Sequence, residues 1–298
     1  MQLRHVQGDV YALTGMEANV TVQIGDQGIL FVDTPPLALL EDSIKLVGSL
    51  TPKPIQFVIT THLGRNNMSS AQALIDLRLT PTDKANAQRM SLAAGGSRNG
   101  VKVLGREEVL NRISDRSVPA IPGAALTSEY FMPSMDFPMN GDGIVVYHEP
   151  NAITDGDSVV YFRRSDVVSA GAIVSPGRFP EIDLARGGSI NGLIKATNHI
   201  LEVMVPGLFE EGGTYLVPGY GRICDEADVA YYREMLTIVR DRVQVLIDQG
   251  KTLQDVQKAR PALDYETTYG GARGGPTAQA FVETVFKSLM ASRAEGKK

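Results

Sequence analysis

The residues with the clearest chemical meaning run Thr60-Thr61-His62-Leu63-Gly64-Arg65-Asn66-Asn67, directly behind an apolar run of Ile55, Phe57, Val58 and Ile59. From Thr61 onward they follow the outline T-H-x-H-x-D-H, a spacing that gathers imidazole and carboxylate donors from one loop around a metal ion. His62 stands at the first donor position, but Gly64, Asn66 and Asn67 occupy the other three. Amides are poor ligands for zinc, which takes imidazole nitrogen, thiolate and carboxylate. The chain has four histidines, His5, His62, His148 and His199, and one cysteine, Cys224. Dispersed in this way, they are too few for a two-zinc hydrolase site. What remains is organic acid–base chemistry. An imidazole with an ordinary pKa near 6.5 can act as general base or acid. Arg65, with Asn66 and Asn67, can hold a carboxylate or a developing oxyanion.

The bulk composition bounds the partners. At 298 residues, with 43% hydrophobic and 21% charged side chains, the chain reads as a soluble globular protein able to bury a core. A net charge of −5, with no basic run, argues against nucleic acid or an anionic membrane as partner. No apolar run approaches the ~20 residues of a membrane span, and no secretory leader is visible, so a cytoplasmic location is expected. The expected partner is a small-molecule ligand or substrate; assembly into a homo-oligomer is left open. No metal and no cofactor is assigned. The lone Cys224 excludes an internal disulfide.

The pattern along the chain says what must position these groups. Short apolar or alternating segments at 10–13, 20–24 and 29–32, separated by glycines, read as strands. Pro35-Pro36 opens a helix to about Leu50, a strand ends at Thr60, and a helix follows over 69–77. Residues 80–115 read as helical and polar. Residues 117–140 interleave Pro119, Pro122, Pro133 and Pro138 with large apolar side chains, which suits a pocket wall, a lid or a loop packed on the core. Strands return at 144–148, 158–162, 166–169 and 215–217. Helices are expected over 189–204, from a cap at Asp225 to a stop at Gly250, and around Phe281, Val285 and Leu289. The glycine-rich 270–275 lacks the strand and lysine of a phosphate loop and reads as a turn. The order predicts an α/β protein, one domain of two similar halves, roughly 1–150 and 151–298, packed sheet to sheet with helices outside.

The chain resembles the metallo-β-lactamase superfamily, in its branch of small zinc hydrolases and cyclase-like proteins. The resemblance runs nearly end to end through Val10-Tyr11-Ala12-Leu13-Thr14-Gly15, Leu30-Phe31-Val32-Asp33-Thr34, Lys53-Pro54-Ile55, Thr154-Asp155-Gly156-Asp157, Gly187-Gly188-Ser189 and Val217-Pro218-Gly219. It implies a four-layer αββα sandwich with the site at one edge of both sheets. Metal ligands are then expected from the loop after Thr60, an A-H-T-D-G-D motif, a G-D on a later strand and a P-G-H-G turn. Here Ile153, Ala172 and Tyr220 stand where the last three motifs place histidine, aspartate and histidine. Of all these positions only His62 keeps the family's residue.

The resemblance therefore assembles a remade pocket of His62, Arg65, Asn66, Asn67, Ile153, Ala172 and Tyr220, with Asp33 nearby. His62, Tyr220 and Arg65 are the candidate catalytic residues; Asn66, Asn67, Ile153, Ala172 and Asp33 are the candidate binding residues. The reading is a metal-independent enzyme doing acid–base chemistry on a small carbonyl or carboxylate compound, of isomerase, cyclase, lyase or hydrolase type. The alternatives are a non-catalytic pseudoenzyme that binds a small ligand in the former metal pocket, and a hydrolase with a single residual metal at His62. In the plainer readings Tyr220 is a core plug, and Asp33 and Asp155 accept backbone N–H bonds in their loops. His148 and His199 are then structural, Cys224 is a small buried hydrophobe, and Ser69 and Ser70 begin a helix.

Overall fold

The computed structural model describes residues 1–64, 68–76, 101–115, 117, 120–208, 212–270 and 274–295. Alternating side chains and tight turns build a first sheet of seven strands in chain order: β1 (Gln2–Gln7), β2 (Val10–Thr14), β3 (Val20–Gly25), β4 (Gly28–Val32), β5 (Ile55–Ile59), β6 (Lys102–Arg106) and β7 (Ser128–Tyr130). The strands β1 to β4 meander antiparallel, whereas β4 to β7 are parallel. Parallel neighbours need covered crossovers, which fits the fully buried run of β4. A second sheet has the order β12-β11-β10-β9-β8, from β8 (Ser134–Met139), β9 (Asp142–Glu149), β10 (Asp157–Phe162), β11 (Val167–Ser169) and β12 (Tyr215–Val217). Its pairs are antiparallel except the last, β11 with β12.

Three apolar clusters show the layering. Val10, Leu30, Val32 and Ile59 of the first sheet interdigitate with Ile144, Val146, Val160 and Phe162 of the second. The outer face of the first sheet packs against α1 (Leu40–Gly48), α2 (Ala71–Asp76) and α3 (Glu107–Ser114). The outer face of the second packs against α4 (Ile190–Val203), α5 (Glu226–Asp248), α6 (Leu253–Ala259) and α7 (Ala278–Glu295). The architecture is the expected four-layer αββα sandwich. Fully buried side chains such as Phe31, Ile144 and Phe162 contribute about 1.5–3 kcal/mol each when removed from water.

Local chemistry explains the helix limits. Asp225 and Asp228 form a reciprocal capping box at the start of α5, and Gly250, at φ +74°, follows its end. Ser189 caps α4 by accepting the Gly192 N–H.

Two expectations change. The polar helix over 80–115 gives way, where residues are described, to β6 followed by α3; residues 77–100 lie outside the described set. Val103 and Leu104 are buried in register with Val58 and Ile59, so tertiary pairing fixes a strand that polarity hid. Within the proline-rich 117–140 segment, Ser128–Tyr130 and Ser134–Met139 form the edge strands β7 and β8, and Pro138 sits on an edge strand, the place in a sheet that tolerates a missing N–H.

Candidate active site

The connections that leave the C-terminal ends of the parallel pairs β4/β5 and β11/β12 converge, together with the β9–β10 turn. Open α/β sheets place their ligand crevices at such strand ends. They enclose a cavity of about 460 Å³ whose lining includes His62, Ile153, Ala172, Arg178, Arg186 and Tyr220. The structure thus brings together four residues singled out from sequence: His62, Tyr220, Ile153 and Ala172. Arg65, Asn66 and Asn67 lie outside the described residues.

Asp33, expected near the pocket, takes the loop-holding role of the plainer reading. It is buried behind the cavity wall rather than lining it, in the left-handed region at φ +66°. Its carboxylate accepts the Thr61 N–H at 2.8 Å and the Thr61 hydroxyl at 3.0 and 2.8 Å. The Thr61 oxygen is in turn 3.1 Å from His62 Nδ1. With its proton committed to Asp33, Thr61 accepts from Nδ1–H, and this assigns the tautomer that keeps Nε2 as the basic nitrogen. Gly171 makes the arrangement sterically feasible: at φ +51°, a Cβ there would lie 2.3 Å from Thr61 Oγ1. Burial, then the charge of Arg186, pushes the His62 pKa down to about 4, so its imidazole is neutral near pH 7.

The loop-holding role expected of Asp155 belongs to Asp157. Asp157 accepts the N–H groups of Ile153 (2.6 Å) and Thr154 (2.7 Å) and the Thr154 hydroxyl (2.9 Å), which fixes Ile153 against the cavity. Burial raises its pKa to about 7. Asp155, in the same β9–β10 turn, instead pairs with Arg112 across to α3.

The remaining wall is the connection from β11 to α4, in which sequence reasoning named Ala172 but none of the charged residues. It supplies Arg178, Glu181, Asp183 and Arg186. Arg186 donates to the Leu63 carbonyl at 3.0 Å and lies 3.4 Å from Asp183. The Arg178 guanidinium covers the Tyr220 ring, 4.1 Å from its centroid. The signal was there: some twenty residues without a periodic pattern inside a compact fold mark a functional loop. Tyr220 is therefore a cavity wall with a cation stacked on it, not a core plug.

The other candidates are structural. His148 Nε2 meets the Asp155 carbonyl at 2.7 Å, and His199 Nδ1 meets buried Glu149 at 2.5 Å, a bond that raises the His199 pKa. Cys224 is buried, which pushes its thiol pKa up. Ser70 donates to the Pro35 carbonyl at 2.6 Å. Among the described residues, no three His, Cys, Asp or Glu side chains are grouped so as to hold a metal ion, and no helix is long and apolar enough to cross a membrane.

No protein-family profile matches the chain, and no curated protein matches it by sequence. Solved structures do. A double mutant of the sec-alkyl sulfatase PisA1 superimposes with a TM-score of 0.71 at 15% identity, over 97% of this chain and 50% of that one. The stereoselective inverting sec-alkylsulfatase Pisa1 from Pseudomonas sp. gives 0.66 at 15% identity, over 96% and 49%. The metallo-β-lactamase from Pontibacter korlensis gives 0.57 at 13%, over 79% of this chain and 98% of its own length. The chain spans about half the length of the sulfatases it matches. Two facing sheets, flanking helices and these superpositions together establish that the chain has the metallo-β-lactamase fold.

Proposed function

We propose that the protein is a metal-independent enzyme that performs acid–base chemistry on a small organic carbonyl or carboxylate compound in the His62 cavity. The observation that carries this reading is the Asp33–Thr61–His62 chain at the cavity wall. With Thr61 accepting from Nδ1–H, Nε2 is left as the basic nitrogen of a residue that lines the cavity together with Tyr220, whose hydroxyl can donate a hydrogen bond. The reactions that fit are isomerisation, cyclisation, elimination or metal-free hydrolysis, each needing a proton moved beside a carbonyl.

The donor set does not fit the two zinc ions that the fold's hydrolases are expected to hold. Ile153, Ala172 and Tyr220 offer no zinc-preferred donor. Of the acidic residues in the wall, Asp183 is engaged by Arg186 and Glu181 faces solvent. No step is therefore routed through a metal.

A second reading, a non-catalytic binder, draws support from the apolar part of the lining, Ile153, Ala172, Ile182 and Leu184, which suits ligand burial. The two readings separate in one assay. Chelator-treated protein is offered small keto and hydroxy acids, lactones, esters and sec-alkyl sulfates, the last being the compounds named for the sulfatase neighbours. The enzyme reading expects turnover of one class, undiminished by chelator and cut about 10²–10⁴-fold in His62→Gln. Binding without turnover supports the binder. Turnover that returns only with added zinc contradicts both.

A further inference from the structure

We infer that the cavity recognises an organic acid, an oxyanion head group on an apolar body, and that Arg178 is the residue that binds the head group. This rests on the reading of the His62 cavity as the ligand site and deepens it by naming the ligand's chemical class.

Arg178 differs from the other cation of the wall. Arg186 is occupied by the Leu63 carbonyl and Asp183. The side chain of Arg178 is only 12% exposed, yet among the described residues its Nε has no hydrogen-bond partner. Its nearest carboxylate, the 82% exposed Glu181, is 3.8 Å away, beyond hydrogen-bond range. A guanidinium withdrawn from water without a matched acceptor is costly, and an oxyanion in the cavity would supply that acceptor in a geometry the planar fork favours.

The surroundings hold the arginine still. Its own N–H donates to the Ser175 carbonyl at 3.2 Å, and the next residue, Phe179, donates to the Tyr269 carbonyl at 3.0 Å while its ring stacks on Phe281. Tyr220 covers one face of the guanidinium. Gly275 closes on its stem: a Cβ at that position would sit 3.0 Å from Arg178 Cβ and 3.3 Å from Nε. A preorganised cation loses little freedom on binding its ligand. Ile182 and Leu184, which line the same cavity, suit the apolar body. An anion beside His62 would also offset the field of Arg186 and make the imidazole a stronger base, so recognition and basicity reinforce each other.

The test is calorimetric titration of the purified protein with sodium benzoate, phenyl sulfate and neutral benzamide. Benzoate or phenyl sulfate should bind at least tenfold more tightly than benzamide; which of the two binds tighter identifies the planar or the tetrahedral head group. Arg178→Met, which keeps the stem and loses the charge, should lose that preference, and Arg178→Lys should retain part of it. Thermal melts show that each variant is folded. Because the titration reads binding directly and needs no turnover, failure of the catalytic reading leaves this result untouched. Equal binding of benzoate and benzamide, no binding of any probe, or an anion preference that survives in folded Arg178→Met would overturn the inference.

Discussion

The two walls of the cavity are built on opposite plans. On one side, Thr61 and His62 continue directly from β5, and the polar atoms of Thr61 and the Nδ1 of His62 are engaged by strand-end neighbours. Asp33 takes both Thr61 donors, Ser158 donates its N–H to the Thr61 carbonyl at 2.7 Å, and Gly171 presses against the threonine side chain. On the other side, the β11–α4 connection carries Arg186, engaged by the Leu63 carbonyl and Asp183, and Arg178, whose pairing with Glu181 is loose. The contrast teaches a division of labour. A group that must hold one tautomer is placed where backbone and buried side chains over-determine it. Groups that must accept a ligand are placed where their charges are left under-neutralised.

The largest effect should come from disturbing the Thr61 wall. Gly171→Ala forces a Cβ against Thr61 at a left-handed backbone position, and should lower unfolding free energy by roughly 2–4 kcal/mol. Denaturant unfolding measures it, and a loss below about 1 kcal/mol would mean that this wall yields far more than described.

Next comes Thr61→Val, which keeps the shape and deletes the hydroxyl that joins Asp33 to His62. Turnover of whichever substrate the assay identifies should fall by about 10²-fold while KM changes little, because the imidazole loses its orienting partner and not its place. An unchanged kcat would detach Asp33 and Thr61 from the chemistry.

A pH effect of intermediate size follows from burial. The unfolded chain protonates His62 near 6.5 and the native state only near 4, so this group's stabilisation is present above pH 6.5 and is lost as pH falls toward 4. Asp157 works in the opposite sense. Protonated near 7 in the native state and near 3.8 when unfolded, it favours folding at low pH and loses that contribution as pH rises through 7. Between pH 4 and 6.5 the two oppose each other. Removing the first with His62→Gln should make stability fall more steeply with rising pH than in the parent, by on the order of 3 kcal/mol across the window. Parallel curves in urea titrations at several pH values would show that His62 is not held neutral.

The smallest effect belongs to the loose wall. Glu181→Gln removes the carboxylate nearest Arg178, an exposed partner 3.8 Å away, and should raise benzoate affinity about two- to fivefold. Weaker binding in that variant would make Glu181 part of the ligand's own contacts.

The same contrast explains what could be read from the sequence. Strand ends with apolar periodicity, such as those before Asp33 and Thr60, announce themselves, whereas the joint placement of Ile153, Ala172 and Tyr220 in one cavity was legible only through the family resemblance. The relay was hidden because Thr61 read only as the first residue of the loop; the left-handed turn at Asp33 brings a carboxylate 28 positions away under it. Arg178 and Arg186 were hidden for a different reason. They lie in a segment with neither period, where direction is set by turns at Gly177 and Gly187 and by the burial of Phe179, not by local propensity. The exchange between Asp155 and Asp157 is of the same kind: two carboxylates in one short motif are distinguished only by which of them points under the loop.

The most direct test of the central claim, that this cavity works through a held imidazole and not through bound zinc, is the metal content of the protein after saturation with zinc and removal of the excess by gel filtration. The account predicts far less than one zinc per chain, with no difference between the parent and His62→Gln. One or two zinc ions per chain that disappear in His62→Gln would contradict it.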